Sequence, residues 1–228
     1  VIFHLADYRQ IHELDPLEAF RTNTYGTAVI CELARRCNSK IIHTIIHPNR
    51  QISPIHPYIT SKIEASKIVQ MYCHYYRLHG VNVHLRNIYG PGEPHRGEFS
   101  TIVSKYTQQY KDRECFRVVS DLNHSHDLVH IEDVCRGLIL LSYHPNITHC
   151  PKVEFKRGNS YTTLQIIKMF YPNATKDREY FIAGTSTNLS FNISDPDTHI
   201  ISPNLHGTLV EWSPIHSLPE YIQSIIST

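Results

Sequence analysis

The chain has 228 residues, 41% of them hydrophobic and 19% charged, with a formal net charge of +1. That is the profile of a folded globular chain rather than a disordered one, and no apolar run approaches the ~20 residues that cross a bilayer. A near-neutral chain without a basic stripe is not expected to bind nucleic acid.

The first predicted element is Val1–Ala6, a continuous apolar run that reads as a strand buried on both faces of a parallel sheet. Asp15-Pro16-Leu17-Glu18 then has a helix-start pattern, with Asp as N-cap, Pro at the first helical position and Glu two residues later. That helix is expected to run through Gly26 to about Cys37. Lys40–Ile46 is a second buried strand, followed by a loop containing Pro48, Pro54 and Pro57. A long helix is expected from near Tyr58 to about Leu78, a third strand over Val81–Leu85, and a turn at Tyr89-Gly90-Pro91-Gly92. Alternating strands and helices predict right-handed crossovers in a doubly wound parallel sheet.

Beyond Glu93 the pattern loosens. Helices are expected near Thr101–Tyr110, Glu132–Leu141, Leu164–Phe170 and Pro219–Ile226, and short strands near Phe116–Val119, Asp127–His130 and Val153–Phe155. The fold class is therefore α/β: a partial Rossmann-like sheet over residues 1–92 and a smaller α+β lobe over 93–228. The six cysteines show no C-x-x-C pair and suit a reducing, cytoplasmic setting. Of the 17 histidines, His43 and His47 stand at i, i+4 but run into Pro48, so no metal site is expected. Asn146, Asn173, Asn188 and Asn192 are glycosylation acceptors only if the chain is secreted.

A bare Y-x-x-x-K recurs by chance in a chain with 14 tyrosines. Pro57-Tyr58-Ile59-Thr60-Ser61-Lys62 is more specific, because it follows a buried strand and opens a helix. With it, the sequence resembles the NAD-dependent epimerase/dehydratase family of extended short-chain dehydrogenases. Ile2-Phe3-His4-Leu5-Ala6 resembles the strand ending in H-L-A-A, and Asn23-Thr24-Tyr25-Gly26-Thr27 the N-v-x-G-T helix. Asn87-Ile88-Tyr89-Gly90-Pro91-Gly92 resembles the N-v-Y-G-P turn, and Asp127–Val134 the D-F-v-x-V-x-D-V segment. Leu209–Pro214 with Ser217-Leu218 resembles the closing G-W-x-P and S-L-x-E element.

The resemblance implies hydride transfer at a carbon of a nucleotide sugar, with NAD or NADP as cofactor. Tyr58 is the implied base and Lys62 the implied ribose ligand; Lys62 and the oxidised nicotinamide are the two neighbouring cations expected to lower the Tyr58 pKa from its usual value near 10. Leu5 and Ala6 would line the cofactor. Thr44 is the candidate third catalytic hydroxyl, with Ser53 as fallback, although His43-Thr44-Ile45-Ile46-His47 lacks the family's serine-rich run. Ile45-Ile46 stand where dehydratases place Asp-Glu, which disfavours that branch. Asn87 is a candidate substrate ligand. His126 stands where many members place a pyrophosphate-gripping arginine, and Asp133 is expected to support the fold. Expected partners are a nucleotide-sugar substrate and, as an open option, a second copy of the chain.

The family's opening G-x-x-G-x-x-G loop, whose backbone N–H groups cradle the pyrophosphate, has no counterpart in these residues. The simplest expectation is that they are part of a longer chain; the alternative is a decayed product that binds no dinucleotide. As it stands the chain should bind the cofactor weakly. Each lost charge-assisted bond costs about 1.5–3 kcal/mol, so two cost roughly two to four orders of magnitude in affinity. A hydroxysteroid-dehydrogenase-like relative and a non-catalytic protein that retains the fold are the competing readings.

Overall fold

The computed structural model describes residues 1–9, 15–46, 55–93, 100–112, 121–145, 147, 150–172 and 212–227. The expectations at Ser53 and Phe116–Val119 lie outside these residues. The chain divides into two units, the first comprising Val1–Leu85, Gly137–Phe155 and Asn188–Trp212, the second Arg86–Arg136, Lys156–Thr187 and Ser213–Thr228.

The first unit is built on a parallel sheet of four strands in the order β1-β2-β3-β6: β1 (Ile2–His4), β2 (Ile41–Ile46), β3 (Gly80–Leu85) and β6 (Lys152–Phe155). The three predicted apolar strands are thus parallel neighbours, with Phe3 opposite Ile42 and Ile42 opposite Val81. β1 is not buried on both faces: Phe3 is 42% and Leu5 55% exposed, because β1 is the outer strand of the described sheet. The sequence reading places Val153–Phe155 in the smaller lobe, whereas β6 extends the parallel sheet beside β3.

Asp15 caps α1 (Pro16–Ala19), its carboxylate accepting from the Leu17 and Glu18 amides. The helix passes through a π-helical stretch, Phe20–Tyr25, before continuing as α2 (Gly26–Arg36). α3 (Pro57–Tyr76) is capped by the His56 side chain and ends at Arg77, whose left-handed backbone stops it. Its inward residues Tyr58, Ser61, Lys62, Ala65, Ser66, Val69 and Cys73 recur at helical spacing. Cys31, Ala34, Ile41, Val69, Cys73, Leu78 and Cys150 form a core between the two helices and the sheet.

The second unit contains a three-stranded sheet in the order β4-β5-β7: β4 (Asn87–Tyr89), β5 (Ser125–His130) and β7 (Ser160–Thr162). β4 and β5 are parallel, β5 and β7 antiparallel. Around it lie α4 (Ile102–Lys111), α6 (Thr163–Phe170) and α7 (Leu218–Ile226), sharing a core of Tyr89, Tyr106, Leu128, Ile166, Ile167, Leu218 and Ile222. Gly90 keeps the N-I-Y-G-P-G turn tight: its φ is +145°, and a β-carbon there would lie 2.6 Å from Ile131 Cγ2.

α5 (Ile131–Tyr143) carries Gly137 against the ring of Phe155. A β-carbon at Gly137 would lie 2.5 Å from Phe155 Cζ, and that ring is packed on Trp212 with centroids 4.8 Å apart. Gly137→Ala would gain about 0.5–1 kcal/mol of helix propensity but incur an overpacking cost of about 1–3 kcal/mol. The clash should win, and denaturant unfolding should show a net loss of about 1–2 kcal/mol. A stabilised variant would contradict this packing.

Candidate functional site

The N-T-Y-G-T motif is a clamp. Within the π-helical stretch, Asn23 accepts from the Tyr8 amide (2.7 Å) and donates to the Tyr8 carbonyl (3.1 Å) and to Ser61 Oγ (3.0 Å). Thr24 donates to the Ser61 carbonyl, and Ser61 Oγ to the Tyr58 carbonyl. Thr27 Oγ1 donates to the Asn23 carbonyl and lies 2.8 Å from His4 Nε2. These bonds fasten the segment after β1 to the first turns of α3. Two motifs separated by tens of residues therefore form one hydrogen-bonded unit.

The clamp positions a three-residue cluster. The Tyr58 hydroxyl donates to Asp7 Oδ2 at 2.8 Å, and Lys62 Nζ lies 3.5 Å from Asp7 Oδ1. Tyr58 is 2% and Lys62 4% exposed, whereas the Asp7 side chain is 25% exposed. Leu5 and Ala6, between β1 and Asp7, are exposed. Thr44 is buried on β2, and its hydroxyl donates to the His4 carbonyl at 3.5 Å. The cluster thus brings together Tyr58 and Lys62 with a carboxylate that the sequence reading did not select. The signal was present as a departure: H-L-A-D stands where the family shows H-L-A-A.

The electrostatics correct one expectation. The Tyr58 phenol is raised above its ordinary range, first by burial and then by Asp7, with Arg9 opposing. Lys62 does not bring it down; its ammonium faces Asp7, and burial lowers its own pKa, opposed by the carboxylate. Burial, then the Lys62 charge, lowers His4 to about 4 and His43 to about 3. His43 donates through Nδ1 to Asn82 Oδ1 (2.8 Å), which is fixed as acceptor because Asn82 Nδ2 donates to the Ser66 carbonyl.

An acid-stability prediction follows for this unit. Folded pKa values below the unfolded 6.5 mean that the stabilisation is complete above about pH 6.5 and is lost as pH falls toward the folded values. Between about pH 7 and pH 5, denaturant midpoints should fall, each of the two histidines removing about 2 kcal/mol. A pH-independent midpoint over that range would contradict buried, neutral His4 and His43.

In the second unit, Asn87 is exposed at the start of β4. His126 is 6% exposed, its Nε2 3.0 Å from Thr163 Oγ1, and burial lowers its pKa to about 4. It is therefore an uncharged imidazole tied to α6. Asp133 is fully buried and accepts from the Ile215 and His216 amides, both at 3.0 Å, and from Arg136. The D-V and S-P motifs are joined through this carboxylate, a structural role. Among the described residues, His130, Glu132 and His216 group their ligand atoms within 4.8 Å of one another, although no metal was expected from the sequence. No helix among the described residues is long and apolar enough to cross a membrane.

The model of the NAD dependent epimerase/dehydratase family matches residues 1–153. No curated protein matches the chain. Among solved structures, UDP-glucose 4-epimerase from Thermotoga maritima, determined with UDP-glucose, superposes with a TM-score of 0.73 at 19% identity, over 99% of this chain and 75% of that one. WbmF from Bordetella bronchiseptica, determined with NAD+, gives 0.73 at 19% identity over 99% and 70%. An epimerase from Methanothermobacter thermautotrophicus gives 0.75 at 15% identity over 99% and 70%. At these identities the structural likeness establishes a shared Rossmann-type fold.

Proposed function

The chain belongs to the NAD dependent epimerase/dehydratase family, and from that premise we propose that it acts on a nucleotide sugar as an NAD-dependent epimerase, with Tyr58 exchanging the proton of a sugar hydroxyl. The observation that carries this reading is the pairing of a buried tyrosine and a buried lysine on the first two turns of α3.

The residues fit the cofactor. Lys62 is an almost fully buried ammonium with a carboxylate partner at 3.5 Å, a donor suited to ribose hydroxyls. Leu5 and Ala6 offer exposed apolar surface beside it. Bound there, NAD would supply the hydride acceptor and donor for the sugar carbon. Tyr58 takes the hydroxyl proton as the carbonyl forms and gives it back on return. Lys62 would hold the ribose. Within the second unit, Asn87 and the neutral His126, tied to Thr163, would each offer a contact to the substrate, His126 the weaker. Ile45, at 6% exposure, gives the site no acid for dehydration. The free thiols of Cys31, Cys37, Cys73, Cys135 and Cys150 support a reducing, cytoplasmic setting.

One observation favours a second reading. Asp7 engages both Tyr58 and Lys62, which would suit a protein that keeps the fold while turning over slowly or not at all. Incubation with UDP-glucose and a large excess of NAD, read by NMR of the sugar ring, separates the two. Formation of the C4 epimer, or of another epimeric UDP-sugar from a panel, supports the enzyme. Unchanged sugars across the panel support the silent relative.

A further inference from the structure

Tyr58 sits in surroundings that oppose its ionisation, yet its hydroxyl already has a proton acceptor. We propose that Asp7 is the terminal proton acceptor of a relay, so that Tyr58 removes the substrate proton while remaining a neutral phenol. This rests on the epimerase reading above and extends it.

The geometry is specific. Tyr58 Oη donates to Asp7 Oδ2 at 2.8 Å, and the other Asp7 oxygen faces Lys62 Nζ at 3.5 Å. Asp7 follows β1 directly, and Asn23 holds the next residue, Tyr8, by both its amide and its carbonyl. The carboxylate is therefore presented on a fastened backbone. Burial and the Asp7 charge both disfavour a phenolate. A mechanism that requires a free phenolate at neutral pH would work against both.

In the relay, the sugar O–H proton passes to Tyr58 Oη as the phenolic proton passes to Asp7. The C–H electron pair leaves as hydride to the dinucleotide named above, and the O–H pair becomes the carbonyl π bond. Asp7 ends as a neutral acid, Tyr58 is unchanged, and the return step reverses both transfers. Among the described residues, the charged and titratable groups acting at this cluster are Lys62 and Tyr58 from α3, His4 from β1, His43 from β2 and Arg9 beyond Asp7. Burial and the Lys62 charge hold His4 and His43 uncharged at neutral pH.

Asp7→Asn keeps the shape and cannot accept the proton. With UDP-glucose and excess NAD, its kcat should fall about 100-fold or more, with KM for the sugar nucleotide changed less than about twofold. Asp7→Glu should restore part of the rate. A cofactor-free readout accompanies this: ultraviolet phenol titration, taken as wild type minus Tyr58→Phe, should show Tyr58 ionising at lower pH in Asp7→Asn.

An Asp7→Asn enzyme as fast as wild type, or faster, overturns the relay alone and makes Asp7 a brake on Tyr58. An unmoved phenol titration overturns it as well, by removing the contact. A wild-type chain that epimerises no UDP-sugar removes the epimerase reading and the relay together, and the unaltered titration difference then distinguishes that failure from a missing contact.

Discussion

Replacing Lys62 by methionine is expected to raise the apparent KM for NAD about 10- to 100-fold, while the fold remains intact. The ammonium is buried, acts on His4 of β1 and His43 of β2, and faces the Asp7 carboxylate at 3.5 Å. A charge-assisted bond to a ribose hydroxyl contributes about 1.5–3 kcal/mol, and each 1.4 kcal/mol is tenfold. Methionine approximates the lysine stem and removes the ammonium with its charge and its N–H donors. Burial already lowers the Lys62 pKa, so the charge is held at a cost that folding does not require. Asp7, a quarter exposed, can be solvated when its partner is lost. Two local readouts should move with KM: the His4 and His43 imidazoles, now free of a neighbouring cation, should titrate at higher pH by NMR. Unchanged KM together with unchanged imidazole titrations would show that Lys62 does not face this edge of the sheet.

The parallel order of β1, β2 and β3 was readable because the three runs contain isoleucine or valine and are separated by helix starts, an alternation that calls for parallel crossovers. The α1 and α3 starts were readable for local reasons, since Asp15-Pro16 and Pro57 act within one turn. β6 was not. Lys152–Phe155 is a short mixed run in a loosely patterned region, and its place beside β3 is decided by packing rather than local pattern. The π-helical stretch was hidden as well, because no local pattern in Phe20–Tyr25 marks the wider turn. What distinguishes it is tertiary: it turns Asn23 toward Tyr8 and Ser61, and Ser61 is 38 residues away.

At the site, Tyr58 and Lys62 were legible from their spacing and setting. Asp7 was legible only as an oddity, since its partner Tyr58 is 51 residues distant. Its consequence reversed the expected electrostatics: the nearest ionic influence on the phenol is an anion, so its pKa rises where a lysine neighbour suggested a fall. His126 was read as a gripping group from its alignment with an arginine. Sequence does not reveal that the imidazole is buried against Thr163.

The central claim is that Tyr58 handles the substrate proton, and Tyr58→Phe tests it most directly. Phenylalanine keeps the ring in its 2%-exposed position and removes only the oxygen that would bridge substrate and Asp7. General acid–base catalysis contributes about 10²–10⁴-fold, so turnover of the UDP-sugar should fall by that factor. The apparent KM for NAD should stay within about twofold, because Lys62 rather than Tyr58 is assigned the ribose. The unfolding midpoint should change little, since one hydrogen bond to a partly exposed carboxylate contributes about 1 kcal/mol. Loss of turnover with cofactor KM and stability retained is the result predicted; turnover within a few-fold of wild type would remove Tyr58 from the chemistry.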